Sequence, residues 1–185
     1  LESLRELRGR DVEVRRGAEI TLGLEGEPTI DRGAGFSLEF TLDEDGTVIP
    51  GDLHSLYALS LYRALDRVAS LLRSHGHAPL RRLDVFYYPR LDSVLLGDQR
   101  SGLTDNAACA SFIPGFLVVP SFMLDDVPML LNEGVLAHEF GHAVIHQELF
   151  GSASEATGEG LEGWALAHRH LESMHEAGAD LIGLI

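Results

Sequence analysis

The chain has 185 residues, of which 45% are hydrophobic and 23% charged, and its formal net charge at pH 7 is -15. The composition is that of a globular protein with one core, and no apolar run approaches the ~18 residues of a membrane-spanning helix. The acidic excess argues against a nucleic-acid partner, because phosphate binding requires a basic surface. Cys109 is the only cysteine, so an internal disulfide is excluded.

Residues 1–50 are predicted to be rich in β-strands. Apolar residues alternate with polar ones along two stretches, and the glycines between them are typical of turns. The alternating residues are Val12, Val14, Ile20, Leu22 and Leu24, followed by Phe36, Leu38, Phe40 and Leu42. We therefore divide the chain into a β-rich N-terminal part (1–50) and a second domain (51–185).

The second domain is predicted to begin with a helix from Leu53 to about Ser74, where leucines recur at three- and four-residue steps. Asp52 is a capping residue type before this helix, and Gly76 follows its end.

Strands and two further helices are predicted next. Residues 83–88 form an extended apolar run before Pro89, and the runs 107–113 and 116–119 flank Pro114-Gly115 as a predicted hairpin. A helix is predicted from about Asn132 to Leu149, and a last one runs from near Gly160 to the end of the chain.

The helix over 132–149 contains a metal-binding pattern, His138-Glu139-Phe140-Gly141-His142. On a helix, residues i and i+4 share one face about 6 Å apart, so both imidazoles can bind a single zinc ion. Glu139 lies beside that face and can reach a water without binding the ion. Gly141 keeps the helix slim where a neighbouring element must pack.

Two histidines leave a catalytic zinc one protein ligand short of the usual three. Glu162 lies 20 residues after His142 and Glu176 lies 34 residues after it. On one straight helix these two glutamates would be ~21 Å apart, so they cannot bind the same ion. The residues alone leave both open as the third ligand.

The HExxH motif followed by Glu176-Ala177-Gly178-Ala179-Asp180 resembles the gluzincins, the thermolysin-like clan of zinc peptidases, over roughly residues 105–185. The resemblance implies a third ligand on a second helix and an Asp four residues later that orients the first His. Glu176 with Asp180 fits both requirements. Glu162 matches the spacing in thermolysin, but Leu166 stands four residues after it.

The resemblance further implies a zincin-like α+β fold, in which a small mixed sheet packs on the HExxH helix and on a second ligand-bearing helix. It implies one catalytic zinc and an endopeptidase with Glu139 as general base, acting on peptide or protein substrates. The alternative is a zincin-fold binding module that retains zinc without turnover. Similar bacterial peptidases are secreted or lipoproteins, so we expect a secreted, periplasmic or cell-surface location.

One feature departs from the gluzincin pattern. Such enzymes place a Tyr or His over the oxyanion from a segment after the third ligand, whereas this sequence stops nine residues beyond Glu176. The substitutes of suitable chemistry, which no signal in the sequence distinguishes, are Tyr87, Tyr88, His146, His168, His170 and His175. The sequence begins at Leu1 rather than Met and stops at Ile185 within an apolar run, which predicts a natural chain longer at both ends.

Overall fold

A computed structural model describes seven stretches of the chain, which together form a mixed α+β structure. They are residues 2–22, 29–77, 81–93, 106–109, 115–119, 128–150 and 176–184. None of the helices within these stretches is both long enough and apolar enough to cross a membrane.

Within the described stretches, ten strands form three sheets. They are β1 (Val12–Arg16), β2 (Glu19–Leu22), β3 (Thr29–Asp31), β4 (Ala34–Gly35), β5 (Phe40–Leu42), β6 (Val48–Pro50), β7 (Leu83–Tyr87), β8 (Arg90–Ser93), β9 (Asn106–Cys109) and β10 (Gly115–Val119). The largest sheet has the order β4-β1-β7-β10-β9, in which β1, β7 and β10 are parallel and the outer strands β4 and β9 are antiparallel to their neighbours. The predicted pairing of the runs around Pro114-Gly115 is confirmed as β9 with β10.

The β-rich N-terminal part contributes directly to this sheet. In β1, Val12 lies opposite Leu83 of β7 and Val14 lies opposite Val85, and all four side chains are buried. Residues before and after position 50 therefore share one sheet and one core. The division into two parts at that position stays a prediction.

The predicted first long helix is confirmed as α2 (Leu53–Ser74), which follows the short helix α1 (Glu2–Arg5). Asp52 caps it by accepting a hydrogen bond from the backbone N–H of Ser55 at 2.7 Å. Gly76, just beyond its end, has a φ of +85°, a conformation that a residue without Cβ adopts at little cost. The helix buries one apolar face in the core that it shares with β1, β7 and β10.

Helix α3 (Glu133–Phe150) confirms the helix predicted over 132–149. Asn132 Oδ1 accepts the N–H groups of Gly134 and Val135 at 3.1 and 3.3 Å, which caps the helix start. Three large residues on one face, Leu136, Phe140 and Val144, are buried in the common core. The helix packs on α2, β9 and β10. This packing fixes which way the opposite face points.

The other face of the largest sheet carries charges that are buried in pairs. Arg15 contacts Asp84 at 3.0 Å and Glu13 at 3.2 Å, while Arg82 contacts Glu13 at 3.0 Å. Both carboxylates are almost fully buried. Each carboxylate contacts more than one arginine, so neither buried charge in the strand pair β1–β7 is left without a partner.

The cap at Asp52 generates a prediction about stability. The backbone N–H of Ser55 is the main cause that lowers the pKa of Asp52 below its ordinary value of 3.8. The carboxylate therefore stabilises the fold above that value, and the contribution is lost as the pH falls through the lowered pKa. We expect Asp52→Ala to reduce the melting temperature at pH 7, and the difference from wild type to shrink as the pH is lowered through the ordinary value of 3.8 and below it.

Thermal unfolding followed by circular dichroism across this pH range provides the measurement. Glu44→Ala removes the same charge from an exposed turn and is the matched control, for which we expect no shift. A melting-temperature difference for Asp52→Ala that stays constant with pH would contradict the assignment of the cap to the ionised carboxylate.

Candidate metal centre

His138 and His142 lie one turn apart on α3 and face each other. Their Nε2 atoms are 2.9 Å apart, and the ring planes are almost perpendicular, with centroids separated by 4.5 Å. His142 is buried, with 7% of its surface exposed, and His138 is half-buried. The i, i+4 spacing therefore brings two ring nitrogens to one point at the edge of the core.

A carboxylate from a distant part of the chain reaches the same point. Residues 176–183 are helical, and Oε2 of Glu176 lies 3.4 Å from Nε2 of His142 and 3.7 Å from Nε2 of His138. Glu176 is thus the third-ligand candidate that the structure brings to the histidine pair, and the three residues form a group able to hold a metal ion.

Asp180 orients the first histidine of this group. Its Oδ1 lies 3.0 Å from Nδ1 of His138, on the side of the ring away from His142. An ionised carboxylate only accepts hydrogen bonds, so a neutral His138 carries its proton on Nδ1 and presents a lone pair at Nε2. Glu176 and Asp180 act together because the i, i+4 spacing puts both on one face of their helix.

Glycines allow the two helices to approach closely enough for these contacts. A Cβ on Gly141 of α3 would lie 3.1 Å from Cα of Ala179, and a Cβ on Gly183 would lie 3.3 Å from Cβ of His138. The slim backbone predicted at Gly141 is confirmed. Sequence reasoning missed the small residues of the second helix that face Gly141 and His138. Ala179 and Gly183 lie one turn apart and form a narrow helix face, which could have indicated this packing.

The three ligand atoms have separations that suit a tetrahedral ion. With metal–ligand bonds of ~2.0–2.1 Å, as for zinc, neighbouring ligand atoms in a tetrahedron lie ~3.3–3.4 Å apart. The separations here are 2.9, 3.4 and 3.7 Å. Two imidazole nitrogens at 2.9 Å can also share one proton, but a carboxylate oxygen facing both of them is the arrangement expected around a cation.

Glu139 belongs to the same helix but not to the group of three. It is half-buried, and as the residue after His138 it lies about 100° around the helix axis. Helix geometry therefore places Glu139 beside the metal-binding group, and its role as general base stays a prediction.

The sequence also singled out a rival third ligand, Glu162, and candidate oxyanion donors, among them Tyr87 and Tyr88. Glu162 lies outside the described residues, so its rival claim as third ligand stays a prediction. Tyr87 is buried in the core, where its hydroxyl lies 2.9 Å from Nδ1 of His54, and burial raises the pKa of its phenol well above the usual range. Tyr88 is exposed at the end of β7.

Comparison of the chain with family models, with curated proteins and with solved structures gives no match. The case for a function consequently rests on the geometry and chemistry of the site.

A pair of glutamine variants tests which glutamate is the third ligand. Loss of a residue that only hydrogen-bonds to a metal ligand lowers metal affinity ~10–100-fold. Loss of a ligand itself should cost more, so we expect Glu176→Gln to weaken zinc binding by more than ~100-fold. Glu162→Gln is the matched variant and should leave the affinity unchanged. Competition of the purified proteins with a chromophoric chelator gives both values. The opposite ranking would identify Glu162 as the ligand.

The glycine contact at position 141 generates a graded prediction. The neighbouring Ala179 and Ile182 must shift by a few tenths of an ångström to accept a Cβ at Gly141, and further to accept a branched side chain. We expect Gly141→Ala to weaken zinc binding and Gly141→Val to weaken it further, by ~10-fold or more, because the helix that carries Glu176 is displaced. Equal affinities across the series would show that the close approach does not control the site.

Proposed function

We propose that the protein is a zinc-dependent endopeptidase that hydrolyses peptide bonds. The observation that carries the proposal is the convergence of His138, His142 and Glu176 from two helices, with Glu139 beside them on α3. Two imidazoles and one carboxylate are a ligand set of catalytic zinc sites, which keep a fourth position free for water or substrate.

Each residue of the site has a role in this proposal. His138, His142 and Glu176 hold the ion, and Asp180 keeps the His138 ring in the orientation and tautomer that binding requires. When bound, zinc supplies Lewis acidity, which polarises a carbonyl and lowers the pKa of water. Glu139 accepts the proton from the attacking water and delivers it to the leaving amine, as general base and then as general acid.

The sheet offers a way to hold a peptide. In the described part of the chain β9 lies at the edge of the five-stranded sheet, antiparallel to β10, and α3 packs against it. An edge strand can pair with an extended peptide through main-chain hydrogen bonds. A sheet with an antiparallel edge strand beside the HExxH helix supports the zincin-like fold that we propose.

We also propose a cellular location for the protein. The sequence resemblance favours a secreted, periplasmic or cell-surface protein, where an endopeptidase would meet peptide or protein substrates.

The second function in contention is that of a zinc-retaining module without turnover. It is favoured by the environment of Tyr87, whose phenol is buried and contacts His54 instead of serving as an oxyanion donor. The two functions share the metal site and differ in whether Glu139 moves a proton.

Replacement of Glu139 tests the catalytic role. General acid–base groups contribute ~10²–10⁴-fold to rate, so we expect Glu139→Gln to lower kcat by that factor while zinc content stays at one ion per chain. Cleavage of casein and atomic emission provide the two measurements. Removal of zinc by a chelator should abolish cleavage, and its return should restore it.

Glu133→Gln is the matched control, because Glu133 is an exposed acid on the same helix that pairs with Arg67 at 2.6 Å. It should retain wild-type cleavage. Undiminished proteolysis by Glu139→Gln would eliminate the proposed mechanism. Stoichiometric zinc in a wild-type protein without any cleavage would favour the zinc-retaining module.

A further inference from the structure

The segment that carries Glu176 buries little apolar surface of its own. Leu181 and Leu184 are 67% and 84% exposed, Ile182 is half-buried, and Ala179 is the one described residue of 176–184 that is fully buried. Burial of large side chains is the main source of stability for a packed helix. The described residues of the segment therefore gain little stability from the burial of large side chains.

Its contact with α3 is close and, apart from the half-buried Ile182, is made by small residues. Gly183 lies against the carbonyl of Gly134 and the Cβ of His138, and Gly178 lies against Ile145. Glycines permit a short distance between the helices without adding side-chain area. They also lose the most backbone freedom when they are ordered. Close approach alone does not offset the cost of fixing the segment in place.

The charges of the segment favour docking in the presence of a cation. Glu176 and Asp180 are carboxylates one turn apart on the same face, and like charges at this spacing destabilise a helix. Both point at His138, with contacts of 3.7 Å and 3.0 Å. A neutral His138 can donate only one proton, to Asp180, which leaves Oε2 of Glu176 facing the acceptor nitrogen Nε2. That pair of acceptors is stabilised by a positive charge between them.

We infer that the metal ion is the clasp that holds residues 176–184 against α3, so that the site is assembled only as the ion binds. The inference rests on the metal centre of the proposed function. His138 and His142 are positioned beforehand by the buried face of α3, whereas the helix with Glu176 and Asp180 is released when the ion is absent. Metal binding and docking of this segment are then one equilibrium.

Hydrogen exchange with mass spectrometry on the full chain tests the inference. The protein is stripped with a chelator and then measured with and without one equivalent of zinc chloride. We expect the amides of 176–184 to exchange ~10-fold or more slowly with zinc, while amides of α2 and β7 exchange at the same rate in both states. Equal exchange of 176–184 in the two states overturns the inference.

Two variants of the segment separate the clasp from general effects of zinc. Glu176→Gln removes the ligand and should abolish the zinc-dependent protection at a zinc concentration that saturates the wild type. Leu181→Ala changes an exposed residue of the same segment and should keep it. Protection that persists in Glu176→Gln at that concentration contradicts the inference.

The variant Glu139→Gln distinguishes this inference from the proposed activity. It should gain the same protection on zinc addition as the wild type, because Glu139 is not one of the three converging ligands. Protection without proteolysis in the wild type would sustain the clasp and overturn the peptidase. Proteolysis without a change in protection would sustain the peptidase and overturn the clasp.

Discussion

At the candidate metal centre a carboxylate on one helix meets two histidines on another where the two helices pack closely together. Here the closeness depends on positions without a side chain: Gly141 of α3 faces Ala179, and Gly183 faces His138. Any larger residue at these points would occupy the space that the second helix uses. The position of Glu176 at the two imidazole nitrogens depends on this steric constraint, and so does every role proposed for the site.

The core gives α3 the fixed orientation that the site needs. Leu136, Phe140 and Val144 are buried against the sheet and α2, which leaves the face with His138 and His142 turned towards the second helix. Because this packing already fixes the helix that carries the two histidines, little conformational entropy is lost there when an ion binds. The half of the site on α3 is thus held by hydrophobic packing, and the half that carries Glu176 depends on the close fit of small residues against α3.

The two long helices were predictable from sequence to within about one residue. Helix α2 was expected from Leu53 to Ser74 and is observed over that span, because its apolar period and its cap at Asp52 are local signals. The order of strands in the largest sheet was not predicted. It depends on β1 pairing with β7, about 70 residues later in the chain, and no local pattern specifies that partner.

By itself the sequence determined the histidine pair, because two residues four positions apart on one helix must share a face whatever surrounds them. It narrowed the third ligand to Glu162 or Glu176, and the gluzincin resemblance favoured Glu176, but a separation of 34 residues from His142 does not fix the distance in space. Only the tertiary structure brought Glu176 to the pair. The physical reason is the fit between two narrow helix faces, which exists only once both helices are packed.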